Sequence, residues 1–363
     1  MTQIKNMEIE KKEQESLFDY YHFTKTEAKK YIVLERVFVE LTPKKIRQKV
    51  NALRGLELPD ELMKWIKEYD KIGRRNPLTW KRTYGHSCIV NFSDATGENR
   101  AFLENTKFLM FMFIILLDDV ADVWQSKTLL DEILKIPYEE KDIDFNRLDE
   151  REQKYLKFTL KLWKNLLRRL KTFKNYKEFE GLLEYNIRQM LHGRRYGYLM
   201  NKKPWLINKI ELQSYLTASV CSMQILEDFT IDFMFAQNLA ISEYGKIREL
   251  TFRTQQMTRR GNWVSGWIKE IEELDFTSGV VAYALDEGAI TSEDLLNTTR
   301  ENYMVVVEKI RKSNAEKELL MEWEDNFHKN IETAKKIKSM NAEKYVLGVE
   351  QLLGMVLISA HAS

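Results

Sequence analysis

Glycine and proline are scarce, 14 and 5 in 363 residues. These two residues punctuate tight turns and strands, so hairpin-rich β architectures are excluded and long helices are the expected default. Cysteine is scarcer still. Cys88 and Cys221 are too few and too far apart for a disulfide framework or a paired metal-ligand pattern, which fits a reducing compartment. Excess charge is also missing. With 57 Lys+Arg against 55 Asp+Glu, the chain lacks the concentrated basic surplus by which nucleic-acid binders neutralise phosphates, so no nucleic-acid partner is expected. Long apolar runs are absent too. The longest, FLMFMFIILL from Phe108 to Leu117, is ten residues bounded by Lys107 and Asp118, about half of the roughly 20 that a membrane-spanning helix needs. It reads as buried helix. The opening stretch, MTQIKNMEIEKKEQESLF, is charged without an apolar centre. It is no secretory leader by that criterion, and a cytoplasmic location is expected.

What is present is helical periodicity. Residues 1–22 have the composition of a solvated arm, and residues 23–363 are expected to form one all-α domain without an internal linker. Short helices alternate with Pro43 and Pro59 at first. The stretch NPLTWKRTYGHSCIVNFSDATG from Asn76 is the least helical by pattern, a connection with a brief helix. ENRAFLENTKFLMFMFIILLDDVADVW follows, apolar on every face toward its end, as in a helix inside a protein. Helical segments are then expected near 150–175, 177–200, 209–238, 244–274, 276–286, 292–313, 315–337 and 340–360.

The apolar helix ends in Asp118-Asp119-Val120-Ala121-Asp122. Asp118 and Asp122 share one helix face, and Asp119 is turned about 100° away. Stacked like charges at the end of a buried helix need compensation from solvent, cationic side chains or metal. Hard divalent cations such as Mg²⁺ are held by one or two carboxylates together with substrate phosphates. Three acids in this pattern arise roughly once by chance in a chain of this composition, and a charged helix end facing water has the same spacing. The preceding apolar run is what gives the motif weight.

About 140 residues on, Arg259-Arg260-Gly261-Asn262-Trp263-Val264-Ser265-Gly266-Trp267-Ile268-Lys269-Glu270 places Asn262, Gly266 and Glu270 at i, i+4 and i+8, a stripe on one face. An amide oxygen and a carboxylate two turns apart can ligate one divalent ion, and Lys269 and Arg259 can bind an anion. An ordinary amphipathic helix with Trp263 and Trp267 packed inward would show the same pattern.

Together these stretches resemble the class I terpene synthases (terpene cyclases). LLDDVAD at 116–122 matches that family's aspartate-rich DDxxD at the end of an apolar helix. NWVSGWIKE at 262–270 is similar to its second motif, (N/D)DxxSxxxE, with Trp263 where Asp is usual and Gly266 where the hydroxyl ligand is usual. LDFTSGVVAYALDEGAITSEDLLN resembles the segment that follows in the family, its turn matched loosely by GAITSED. The resemblance covers roughly residues 75–345.

The resemblance implies an all-α helical bundle around a central cavity, as monomer or homodimer. It also implies three Mg²⁺ ions, with Mn²⁺ as a substitute, clamping the diphosphate of a linear prenyl diphosphate such as geranylgeranyl or farnesyl diphosphate. Carried over by position, Asp118 and Asp122 take metal, with Asp119 between them in the catalytic motif. Asn262 and Glu270 take the remaining ion, water standing in for the ligand Gly266 lacks, and Lys269 touches the diphosphate. Ser219, in YLTAS from Tyr215, stands where a diphosphate-sensing Arg is usual, leaving Arg259 and Arg188 as replacement cations. Lys344-Tyr345 stands for the family's terminal Arg-Tyr pair. The expected reaction ionises the allylic diphosphate and cyclises the carbocation in a dry cavity. Aromatic faces stabilise such a cation, and Phe92, Phe108, Phe111, Phe229 and Trp263 are the lining candidates. Two alternatives stay open. One is a chain-elongating prenyl diphosphate synthase, which would ordinarily need a second DDxxD. The other is a non-catalytic helical interaction protein, which would have no dry cavity between the helices ending at Asp122 and Glu270.

Overall fold

A computed structural model describes residues 20–39, 41–92, 95–203 and 212–362. The arm expected over 1–22 therefore lies almost wholly outside the described residues. Among those described there are seventeen α-helices and no strands, as the poverty in glycine and proline predicts. The helices are α1 (Lys25–Lys30), α2 (Ile32–Val39), α3 (Pro43–Gly55), α4 (Asp60–Tyr69), α5 (Pro77–Ile89), α6 (Gly97–Asp118), α7 (Lys127–Lys135), α8 (Glu150–Leu170), α9 (Tyr176–Lys202), α10 (Leu212–Val220), α11 (Ile225–Phe235), α12 (Tyr244–Glu272), α13 (Gly279–Asp286), α14 (Ser292–Leu296), α15 (Tyr303–Arg311), α16 (Ala315–Ala334) and α17 (Ala342–Ala362).

The stretch from Asn76, expected to be mostly connection, is instead the thirteen-residue α5. Its start is chemically encoded. The Asn76 side chain accepts from the Leu78 amide at 2.9 Å, and Pro77, with its fixed φ and no N–H, occupies the first helical position. Trp80, Thr83, His86 and Ser87 form the buried face that holds it down. Two expected long helices are divided. Residues 221–224 turn between α10 and α11, and 297–302 turn between α14 and α15. At the first break, Gly193 of α9 approaches so closely that an added Cβ would stand 2.7 Å from the Ser222 amide nitrogen. At α14, the Thr291 side chain caps the Asp294 amide at 3.2 Å while Asp294 reaches back to the Thr291 amide at 2.9 Å.

Five helices close a ring: α5 packs on α6, α6 on α11, α11 on α12, α12 on α17, and α17 on α5. Helix α6 is its innermost element, with thirteen buried residues. Lys107, which the sequence marks as the edge of the apolar run, is among them. Its ammonium is wholly buried in an ion pair with Asp232 of α11 at 2.9 Å. Helix α9 covers the end of α6, touching the turn Asp119–Trp124 and both α10 and α11. Among the described residues no helix is long and apolar enough to cross a membrane, and Cys88 and Cys221 are not disulfide-bonded.

Candidate active site

The α-helical bonding of α6 ends at Asp118, and residues Asp119–Trp124 continue as a π-turn closed by Gln125 at φ 50°. Wide turns of this kind release part of a helix from its regular register and recur at functional sites. Here the turn divides the three aspartates. Asp119 is buried and structurally committed: it accepts from the Tyr69 hydroxyl at 2.7 Å and the Tyr155 hydroxyl at 2.9 Å, and it pairs with the Arg75 guanidinium. Both tyrosines are held neutral, burial being the main cause raising their pKa and the Asp119 charge the next. Asp119 thus anchors the turn to α4 and α8, and Asp118 and Asp122 are left facing inward.

The inward face is recognisable from exposure. Helix α6 is buried nearly all round, yet Phe111, Ile115 and Asp118 are partly exposed and Asp122 exposed. These positions are i, i+4, i+7 and i+11, one stripe of a helix. On α12, Arg259, Asn262, Gly266 and Glu270, at i, i+3, i+7 and i+11 and so also on one stripe, are partly exposed. Water reaches these side chains, but protein surrounds them so closely that burial is the first cause raising the pKa of Asp118, and of Asp122 and Glu270 to about 8 each. A recess in the ring satisfies both observations. Asp118 and Asp122 repel each other's charge, and Asp122 and Glu270 sense each other across the recess. The two motifs, 140 residues apart in sequence, face one space.

Several residues complete this set that the motifs do not name. Asp275 follows α12 and raises the pKa of both Glu270 and Asp122. Its carboxylate is oriented by the Thr277 amide and hydroxyl at 2.9 and 2.7 Å. Arg194 of α9 pairs with Asp118, and its Nε is buried without a partner. Arg259 donates to Asn262 Oδ1 at 3.2 Å and lies 5.0 Å over the Trp263 ring, and its Nε too is buried and unpartnered. Burial and the neighbouring Arg194 lower its pKa. The sequence held one signal for Arg194: an arginine pair between Gly193 and Gly197 inside an otherwise regular helix.

The other candidates fall elsewhere. Lys269, adjacent to Glu270, is turned about 100° from it on the helix; it is exposed and pairs with Glu273 at 3.6 Å. Arg188 is exposed, bound to Glu184 at 2.9 Å and stacked 3.9 Å over Tyr138. Ser219 is buried, and Lys344 is exposed while Tyr345 is buried. Of the aromatic candidates only Phe111 is on the partly exposed stripe. Phe92 stacks on Tyr345 at 3.8 Å, Phe108 packs against Trp80 and Tyr84, and Phe229 against Phe233 and Tyr244. Trp263 is buried against Gly279, where an added Cβ would meet its ring at 2.4 Å. Gly266 has a role of its own: an added Cβ would stand 3.0 Å from Glu270 Oε1, so the glycine lets the carboxylate lean over it.

Among the described residues no three His, Cys, Asp or Glu side chains are grouped closely enough to hold a metal ion as they stand, whereas the unpartnered Nε groups of Arg194 and Arg259 suit an anion. Carboxylates whose charge the surroundings disfavour are incompletely compensated oxygen ligands, and buried guanidinium N–H groups without acceptors are incompletely compensated donors.

No protein-family model matches the chain, and no curated protein matches it in sequence. Solved structures do match in shape. The structure of isoprene synthase from grey poplar leaves (Populus x canescens), in complex with three Mg²⁺ ions and dimethylallyl-S-thiolodiphosphate, aligns over 86% of this chain with TM-score 0.53 and 18% identity. The chain spans about half of that protein, 54% of its length. Heptaprenyl diphosphate synthase from Staphylococcus aureus aligns over 86% of this chain and 96% of its own, with TM-score 0.54 and 11% identity. The fold of this chain is terpenoid synthase-like.

Proposed function

We propose that the chain is a metal-dependent terpene cyclase, which ionises a linear prenyl diphosphate and cyclises the carbocation with release of diphosphate. One observation carries the proposal: carboxylates of both sequence motifs lie within electrostatic reach of one another, and two guanidiniums with unpartnered N–H groups stand among them. Asp118, Asp122, Asn262, Glu270 and Asp275 would hold Mg²⁺, which when bound supplies Lewis acidity toward the leaving diphosphate. Arg194 and Arg259 supply the charge-assisted hydrogen bonds that an oxyanion leaving group needs, aimed in advance and in a site of low dielectric. Arg75, fixed on Asp119, places a further positive charge beside Asp118. The apolar flank of α6 below Asp118 receives the hydrocarbon and excludes the water that would quench a cation.

The test is direct. The purified chain, given geranyl, farnesyl and geranylgeranyl diphosphates with Mg²⁺, should yield a hydrocarbon or terpene alcohol from at least one, detected by gas chromatography of the solvent extract. No product from any of them would refute the cyclase. Asp118→Ala should abolish turnover with the circular dichroism spectrum retained.

A chain-elongating reading is favoured by one feature. Arg82 of α5 is open to solvent and has the positive Arg75 as its charged neighbour, an arrangement suited to a second anion. Longer prenyl diphosphates on adding isopentenyl diphosphate would select that reading.

A further inference from the structure

Helix α11 is largely apolar, yet it buries three acids, Glu227, Asp228 and Asp232. Asp232 is matched by Lys107 and by the Phe92 amide at 3.1 Å. Asp228 is matched on one side alone. Gln224 donates to its Oδ1 at 2.8 Å, while its Oδ2 has no hydrogen-bond partner and faces His86 Nε2 at 3.7 Å. That nitrogen is unpartnered as well. Both residues are almost fully buried, with 7% of His86 and 1% of Asp228 exposed. Two unsatisfied polar atoms turned toward each other inside a core are costly unless they serve something.

Their place in the ring says what. Thr79, Arg82 and His86 share one face of α5, and Arg75 lies just before the helix begins. The neighbouring face, with Gly85 and Ile89, meets Met355 and Gly348 of α17, and the buried face of Trp80 and Thr83 lies on the side of α6. The stripe between them runs from Thr79 to His86 on the inner side of α5, below Arg75, which pairs with Asp119. His86 meets Phe111 edge-on with ring centroids 4.4 Å apart, and Phe111 is the lowest residue of the partly exposed stripe on α6. From Asp122 to Phe111 is eleven residues, about 16 Å along a helix. His86 and Asp228 therefore stand at the floor of the recess whose rim holds the acids and arginines.

We propose that His86 and Asp228 are the proton-accepting dyad that ends the carbocation reaction; this rests on the prenyl diphosphate reading of the same recess. A C–H bond on the carbon beside the cationic centre breaks, and its electron pair becomes the new C=C bond. The proton passes to the lone pair of the His86 imidazole and forms an N–H bond. Asp228 holds the resulting imidazolium, which returns its proton to solvent after product leaves. Burial, with the Lys107 charge adding to it, pushes the His86 pKa down to about 3, so the ring waits neutral and does not repel the cation. Burial lifts Asp228 to about 7.

The experiment uses the full chain with Mg²⁺ and whichever prenyl diphosphate it converts, measuring diphosphate release and organic products in parallel. In His86→Phe and Asp228→Asn, diphosphate release should stay within about threefold of wild type, while the deprotonated hydrocarbon falls at least about tenfold in favour of alcohols or other isomers. Asp228→Glu should restore part of the original product. An unchanged hydrocarbon profile in both variants overturns the dyad, and so does an equal fall of diphosphate release and product, which marks a structural role. If His86→Phe does not fold, the nearly isosteric Asp228→Asn decides alone. A wild-type chain that releases no diphosphate from any prenyl diphosphate overturns the function itself, a result distinct from loss of the dyad alone.

Discussion

Removal of the Lys107 ammonium tests how this core tolerates charge. Lys107 and Asp232 are both 0% exposed, 2.9 Å apart, and Lys107 also donates to the Val90 carbonyl at 2.8 Å. Lys107→Met keeps most of the side-chain volume, but it leaves a carboxylate and a carbonyl without their donor in the core. Breaking one side of a buried ion pair costs about 3–5 kcal/mol, a large part of the roughly 5–15 kcal/mol that holds a domain folded. The pH dependence has a definite sign. Burial raises the Asp232 pKa and Lys107 opposes that rise, so without Lys107 the folded-state pKa climbs further above its unfolded value. Such a group stabilises the fold at pH values below the unfolded pKa, and that stability is lost as pH rises through the folded pKa. The deficit of Lys107→Met should therefore shrink on acidification from pH 8 toward about pH 5. Lys107→Met combined with Asp232→Asn removes the charge and keeps an acceptor for the Phe92 amide, and it should recover at least about half of the loss. Guanidinium denaturation followed by circular dichroism measures all three chains. A single variant within about 1 kcal/mol of wild type, or a double variant no better than the single, would refute the reasoning.

Glu227 is buried without a cation of its own, and burial lifts its pKa to about 8; wild type should lose stability as pH rises from 7 to 9, Glu227→Gln should lose less, and parallel melting curves would contradict this. The same logic applies to ligand capture. Asp122 and Glu270, each with pKa about 8, must give up protons to bind a divalent cation, so calorimetric Mg²⁺ affinity should rise by up to about tenfold per pH unit for each proton displaced between pH 6 and 8; a constant affinity would exclude them as ligands. Arg194→Met should weaken binding of inorganic diphosphate in the presence of Mg²⁺ by about 10- to 100-fold, the worth of charge-assisted hydrogen bonds, read as a lost thermal shift, whereas an undiminished shift would remove Arg194 from the site.

The all-α fold was legible because helical patterning runs through the chain with few residues to interrupt it. The aspartate motif was legible because an apolar helix ending in stacked acids is chemically anomalous. What escaped depends on contacts between segments distant in sequence. The stretch from Asn76 read as connection because its buried face, Trp80, Thr83, His86 and Ser87, mixes polar with apolar residues; the Asn-Pro start signal was present but outweighed. Lys107 read as an edge because its partner lies 125 residues on. The cations were hardest to place. Lys269 sits inside the second motif and faces water, whereas Arg194 lies in no motif and pairs with Asp118, because α9 packs over the turn that follows α6.

The recess explains how a chain can keep so many acids together before any ligand arrives. The charges of Asp118 and Asp275 disfavour ionisation of Asp122, and those of Asp275 and Asp122 disfavour that of Glu270, so full charge on all of them in one place would oppose folding. Two devices relieve it: Arg194 neutralises Asp118, and raised pKa values let Asp122 and Glu270 hold protons near neutrality. Both are reversible. A proton can leave and an arginine can turn to another anion, whereas a hydrophobic replacement of these acids would remove the repulsion permanently and the binding capacity with it. Asp119 shows the contrast within the same motif. Tied to Tyr69, Tyr155 and Arg75, its carboxylate is engaged inside the protein, and those contacts fix the turn on which the exchangeable acids stand.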